Sequence, residues 1–293
     1  MFILSTCSTA DLTQEYLESR NVYYIKFHYT KDNEMYDDDF YKSISAEDFF
    51  NSMVAGSVMT TSQVNTWEFT AYFKTFLEQG KDILHLCLSS GISGAYNSAR
   101  AAAKELSQQY PERKIHIVDS LCASSGLGLL VDKLADLRDS GMSFDEAVAW
   151  VEENKLRVHH WFFTSDLTFF IRGGRVSKVA GTVAGVLGIC PLMNVSNEGK
   201  LIVRDKIRPK KRVIEETVKR MQMYADDGFD YSGKVFMSHS NCIEDCRAVA
   251  DLVEAKFPKI NNKVQINSIG TVIGSHTGPG TVALFFFGQK RDN

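Results

Sequence analysis

The chain has 293 residues, of which 44% are hydrophobic and 24% charged, and its formal net charge is −3. That length can bury a large core in one or two domains, and the composition is that of an ordinary globular protein. The slight negative charge gives no drive toward nucleic acid, and no apolar run is long enough to span a bilayer.

Phe2 to Thr6 reads as a first strand, and Ser8-Thr9-Ala10-Asp11-Leu12 turns into a helix around Leu12 to Arg20. Val22 to His28, β-branched and aromatic, predicts a second strand, followed by a polar, acidic loop over Lys31 to Asp39. Three helices open on capping-box patterns: Ser45-Ala46-Glu47-Asp48, Asn65-Thr66-Trp67-Glu68 and Ser143-Phe144-Asp145-Glu146. Ile83 to Leu88 is a short apolar run of the kind buried on both faces of a sheet, and the alanine-rich stretch after Ser89-Ser90-Gly91-Ile92-Ser93-Gly94 is helical. Lys114 to Val118 is a further strand, and Ser120 to Leu137 begins glycine-rich and continues as helix. Strands alternating with helices predict a mainly parallel sheet flanked by helices over residues 1–160.

Residues 161–293 read as a closely packed α+β domain with a mixed sheet. Two strands flank an Asn197-Glu198-Gly199 turn, and helices run from Lys211 to Met223 and from Glu244 to Lys256. Strands at Lys234 to Met237 and Lys263 to Asn267 precede a glycine-rich loop, Gly274 to Gly280, and Thr281 to Phe287 is a closing strand. The six cysteines are dispersed in mostly apolar contexts, which predicts reduced, buried thiols in a cytoplasmic protein and no metal site. The N-terminus has neither the basic segment nor the apolar core of a signal peptide.

Polar residues gather in three stretches: Thr60-Thr61-Ser62-Gln63, Ser89 to Gly94, and Gly274 to Gly280 with His276 and Thr277. Hydroxyls, a turn at a helix N-terminus and an imidazole can together hold an anionic head group such as a carboxylate. The same residues carry a second reading. Gly91-Ile92-Ser93-Gly94-Ala95 nearly matches a nucleophile elbow, and Ser93, Asp119 and His276 follow the chain order of an α/β-hydrolase triad, which would make the protein a serine esterase or acyl hydrolase. Arg172, Arg175, Lys178 and Arg204 begin a locally basic stretch that fits a solvated face or a docking patch for an acidic partner or a phosphate. The aromatic runs around Phe162, Phe170 and Phe285 fit either a core or an apolar tunnel.

Seven motifs in register resemble the DegV family of bacterial fatty-acid-binding proteins. They are STADL at Ser8 to Leu12, TTSQ at Thr60 to Gln63, LSSGISGAYNSA at Leu88 to Ala99, VDS…SSGLGLLV at Val118 to Val131, RGGRVS at Arg172 to Ser177, GICPLM at Gly188 to Met193 and IGSHTGPG at Ile273 to Gly280. The resemblance implies two packed α/β domains with a long-chain fatty acid of roughly C14–C18 between them, its tail in an apolar tunnel. Carried over motif by motif, it implies carboxylate ligands Thr61, Ser93, Gly94 and His276, with Ser62 and Thr277 as further candidates. It implies no catalytic residue, no cofactor beyond the bound lipid, and a separate ATP-binding kinase subunit that phosphorylates the acid, for which the basic stretch offers Arg172, Arg175 and Arg204 as docking candidates. Three positions depart from the family pattern: Cys7 stands where Asp is usual, Ala95 where Thr is common, and Cys190 where Lys is common.

Overall fold

A computed structural model describes residues 2–177 and 188–291. Its first sheet is all parallel, in the order Val22–Ile25, Ile3–Cys7, Ile83–Cys87, Ile115–Asp119. The two central strands are buried along their whole length, as their unbroken apolar character requires. Helices Thr66–Leu77 and Ala95–Gln109 cover one face of this sheet, and Ala46–Val54 joins the same apolar cluster through Phe49, Phe50 and Met53.

The second sheet is mixed, in the order Leu201–Ile207, Cys190–Val195, Val158–Phe163, Val282–Phe287, Phe236–His239, Gln265–Ser268. A single pair, Phe236–His239 with Gln265–Ser268, is parallel. A division after residue 160 would pass through Val158–Phe163, all of which belongs to this sheet. Helix Ser124–Asp139 lies between the two sheets. Its Leu127, Leu130 and Leu134 share one apolar cluster with Leu4 and Leu86 of the first sheet and with Phe162, Met193 and Phe285 of the second. Helices Lys210–Tyr224 and Ile243–Lys256 pack on the outer face. Along Val282–Phe287 the pleat sends Ala283 and Phe285 into the shared layer, and Val282, Leu284 and Phe286 to the outer one. The result is five layers, helix–sheet–helix–sheet–helix.

Two local readings differ from the sequence expectation. Lys31 to Asp39 is a hairpin rather than a loop: His28–Lys31 pairs with Glu34–Asp37 on one side and Met59–Ser62 on the other. Asp32 and Asn33 both have positive φ, 49° and 74°, which is the two-residue turn that matches strand twist. The stretch around His276 is a short helix, Thr271–Thr277, rather than a loop. Its glycine and β-branched residues are poor helix formers, so the element depends on tertiary caps at its N-terminus.

The Asn197-Glu198-Gly199 turn reaches across from the second sheet to the loop after Ile83–Cys87. Ser89 Oγ donates to Gly199 O at 2.8 Å, and a side chain on Gly91 would overlap the Glu198 and Gly199 backbone. Gly199 itself has φ +71°, and a Cβ there would overlap Ser89 Oγ. Gly199→Ala is therefore expected to lower the unfolding free energy by about 1–3 kcal/mol, read from the denaturant midpoint.

Candidate functional site

A cavity of about 400 Å³ opens where the carboxyl ends of the first sheet face the second. From the two central strands the chain goes in opposite directions, to Val22–Ile25 and to Ile115–Asp119, and such a switch point leaves a crevice above the strand ends. Phe162, Phe170, Ala283 and Phe285 form its buried wall, and Leu88, Ile92, Val272 and Ile273 complete the apolar lining. At the more exposed end the lining is polar: Thr61, Ser62, Gln63, Ser93, Arg175 and His276, with the buried Thr277 beside His276. Ser124, His160 and Thr281 are also buried in its lining, so the cavity has a polar, more exposed end and a buried wall that is mainly apolar with three polar groups set into it.

Thr61 comes from strand Met59–Ser62 and His276 from the last turn of its helix, and Thr61 Oγ1 lies 2.8 Å from His276 Nε2. The other ring nitrogen, Nδ1, is 3.5 Å from Arg175 Nη1. A guanidinium can only donate, so Nδ1 accepts and Nε2–H donates to Thr61. The Thr61 hydroxyl hydrogen is then free to be given to an anion. Burial, assisted by the Arg175 charge, lowers the His276 pKa to about 4, so the imidazole is neutral near pH 7.

Arg175 is half-buried and anchored, with Nε donating to Ile92 O at 3.2 Å and Nη1 to Gly173 O at 2.7 Å. Burial lowers its pKa from the ordinary value. The glycine before the turn has a steric reason: a Cβ on Gly173 would overlap the His276 ring. Ser93 Oγ accepts from Ala95 N at 3.3 Å at the start of helix Ala95–Gln109, and among the described residues its hydroxyl hydrogen has no acceptor. Gly94 caps the same helix but does not line the cavity, and a side chain there would overlap Gln63. Thr277 donates to Gly278 O at 3.2 Å.

The three arginines expected in one docking patch separate. Arg175 lines the cavity, Arg172 lies over the Phe169 ring at 5.4 Å, and Arg204 donates to Asn194 Oδ1 at 2.8 Å in a different cleft, beside Trp161 and Arg220. Lys178 lies outside the described residues. Asp11 and Asp38, which the sequence did not single out, hold the His276 helix. Gly270 N donates to Asp11 Oδ1 at 3.0 Å and Thr271 N to Asp38 Oδ1 at 3.2 Å. Burial pushes both carboxyls up.

The hydrolase triad is not assembled. His276 bonds Thr61 rather than Ser93, and its Nδ1 faces a guanidinium where a triad needs a carboxylate. Asp119 Oδ1 instead accepts from Ser90 N at 3.0 Å and from Leu121 N at 3.4 Å, as a turn cap.

The neutral state of His276 makes stability depend on pH. Its folded pKa lies below the ordinary 6.5, so between those values the unfolded chain binds more protons than the folded one. Its contribution is complete above pH 6.5 and is lost as pH falls toward 4, on the order of 3 kcal/mol. Melting curves of His276→Gln are expected to fall less steeply over that range than those of the unmutated protein.

A family profile described as "Uncharacterised protein, DegV family" matches residues 3–289. The chain is 35% identical over 291 residues to a DegV domain-containing protein of Clostridium perfringens, with 99% of each chain covered. It is 34% identical over 290 residues to one from Streptococcus pyogenes, again with 99% of each covered. Among solved structures, a DegV family protein from Thermus thermophilus described by its fatty acid binding aligns at TM-score 0.87 and 26% identity, covering 98% of this chain and 99% of that one. The Streptococcus pneumoniae fatty acid kinase B3 protein loaded with linoleic acid aligns at TM-score 0.82 and 23% identity, over 98% and 99% of the two chains, a likeness of fold.

Proposed function

Because this chain belongs to the DegV family, we propose that it binds one long-chain fatty acid, with the acyl chain against Phe162, Phe170 and Phe285 and the carboxylate at the polar end. The observation that carries this is the shape and lining of the cavity: a mainly apolar, buried wall leading to Thr61, Ser93, Arg175 and His276. A carboxylate there receives hydroxyl hydrogens from Thr61 and Ser93 and the field of the Arg175 charge, while the neutral His276 orients Thr61. Gly94 acts through the backbone at the start of the adjoining helix, and Ser62 and Thr277 border the head group.

The protein has no catalytic step of its own in this reading. It presents the carboxylate to an ATP-binding kinase partner in the cytoplasm; among the described residues no helix is long and apolar enough to cross a membrane. The partner reaches the head group through the cleft of Gly91, Gly174, Arg175 and Lys200, which shares Ile92, Arg175 and Leu201 with the cavity.

The test is mass spectrometry of an organic extract of the denatured protein. One equivalent of a straight-chain acid of roughly C14–C18 is the expected result. If delipidated protein fails to take up such an acid in a direct titration, the reading is wrong. With ATP and fatty acid, this chain alone is expected to yield no acyl phosphate, and addition of the kinase subunit is expected to yield it.

A further inference from the structure

Below the cavity, and independent of what fills it, lies a second group of chemically competent side chains. Strands Ile3–Cys7 and Ile83–Cys87 are parallel neighbours, with Ser5 beside His85 and Thr6 beside Leu86. Residues two apart on a strand share a face, so Ser5 and Cys7 point the same way as His85 and Cys87. Cys7, His85 and Cys87 are each 0% exposed, and their Sγ, imidazole nitrogen and Sγ atoms all lie within 4.8 Å of one another.

The histidine is held by a relay. Ser5 Oγ lies 2.9 Å from His85 Nδ1 and 2.7 Å from Tyr72 OH, and Cys7 Sγ lies 3.6 Å from His85 Nε2. With Nδ1–H donated to Ser5 and Ser5 donating to Tyr72, the Nε2 lone pair faces the two thiols. That is the outer-shell arrangement by which proteins fix the tautomer of a metal-ligating imidazole. Metal–sulfur and metal–nitrogen bonds of about 2.3 and 2.0–2.1 Å place S and N about 3.6 Å apart across a tetrahedral angle. The Cys7–His85 separation already has that value.

We propose that Cys7, His85 and Cys87 form a binding site for a thiophilic d¹⁰ metal ion, Zn²⁺ or Cu⁺. Two soft sulfurs and one imidazole select such ions over the hard, oxygen-seeking ones. Binding releases the two thiol protons to solvent, and two thiolates neutralise a divalent ion. The neutral Zn²⁺ complex suits surroundings that include the Phe69 and Phe73 rings, 5.4 and 5.2 Å from the imidazole, whereas Cu⁺ gives a neutral complex only if one thiol keeps its proton. Cu⁺ is satisfied by three ligands, whereas Zn²⁺ would keep a fourth position for a small ligand. Cys242 and Cys246, one helical turn apart, gather no such third ligand among the described residues.

The site has a structural reach. Cys7 directly precedes Ser8, whose Oγ accepts from the backbone of the cavity-lining Phe27, and Cys87 directly precedes the cavity-lining Leu88. An ion would tie the floor of the cavity across the switch point between the two strands.

The test is titration of the full, reduced and chelator-stripped protein with Zn²⁺ and separately with Cu⁺, each against a chromogenic competitor. One equivalent of one of these ions per chain, with a raised melting temperature, is the expected result. Cys7→Ser and Cys87→Ser are each expected to weaken binding by more than the roughly 10–100-fold that loss of an outer-shell partner costs, and Cys242→Ser to leave it unchanged. Circular dichroism establishes that each variant is folded, and Co²⁺ binding with thiolate charge-transfer absorption in the unmutated protein reports the sulfur ligands without any variant. The proposal is overturned if neither ion binds near one equivalent, or if the double serine variant binds as well as the parent. It is also overturned if mild oxidation joins Cys7 to Cys87 in a protein that takes up no metal.

Discussion

Arg175→Gln is expected to weaken fatty acid binding by roughly 10–100-fold, the loss that accompanies removal of a charged donor from a half-buried head-group site. The guanidinium is held by Ile92 O and Gly173 O, so it is fixed beside the polar end rather than free to swing into solvent. Glutamine keeps length and a donor but loses the charge. A second readout separates this role from a merely structural one. The Arg175 charge helps to depress the His276 pKa, so in Arg175→Gln the imidazole should titrate above its present value of about 4. Binding measured by displacement of a fluorescent fatty acid, together with an NMR titration of His276, checks both. If affinity is unchanged while the His276 pKa rises, the arginine faces the histidine and not the acid, and the carboxylate assignment shifts to Thr61 and Ser93 alone.

That Arg175 also lines the cavity was not legible in the sequence, for a physical reason. Arg172-Gly173-Gly174-Arg175 reads as an exposed basic turn, and nothing in it shows that Gly173 makes room for an imidazole about a hundred residues later. Local patterns did report what they physically encode. The buried strand at Ile83–Cys87, the turn with Ser93 and the helix Ala95–Gln109 follow from apolar run, small residues and alanine content. The hairpin at Asp32-Asn33 had a cue, two turn-forming residues between aromatic and β-branched ones, masked by the acidic character of the segment. Two features depend on partners remote in the chain. Cys7 meets Cys87 only because the first strand lies next to the strand beginning at Ile83, a neighbour relation that no local pattern states. The helix that carries His276 forms from poor helix formers because carboxylates from near the N-terminus cap it.

That dependence makes Asp11 the position where a conservative and a non-conservative change should part most clearly. Asp11 sits at φ +46°, a left-handed conformation that Asp and Asn tolerate and Ala does not. Its carboxyl accepts from Gly270 N at 3.0 Å and from Ser124 Oγ at 2.5 Å, and Ser124 lines the cavity. Asp11→Ala removes the acceptor for a helix N-terminal N–H, leaves the buried Ser124 hydroxyl with Ser238 Oγ, 2.9 Å away, in place of the carboxylate, and imposes backbone strain. Losses of about 1–2 kcal/mol for the cap and 1–2 kcal/mol for the conformation predict a stability drop of about 2–4 kcal/mol. The His276 helix loses its anchor at the same time, so fatty acid affinity should fall with it. Asp11→Asn keeps an acceptor for Gly270 and the backbone preference, and it is neutral. Burial raises the Asp11 pKa, so the folded state disfavours its ionised form and this term weakens stability as pH rises above the ordinary carboxylate value. Asparagine removes that term, and its cost should stay below about 1 kcal/mol at pH 7. Denaturant unfolding of the two variants at pH 5 and 7 decides the matter. Equal losses for Ala and Asn would mean that the charge, rather than the hydrogen-bond acceptor, holds the helix in place.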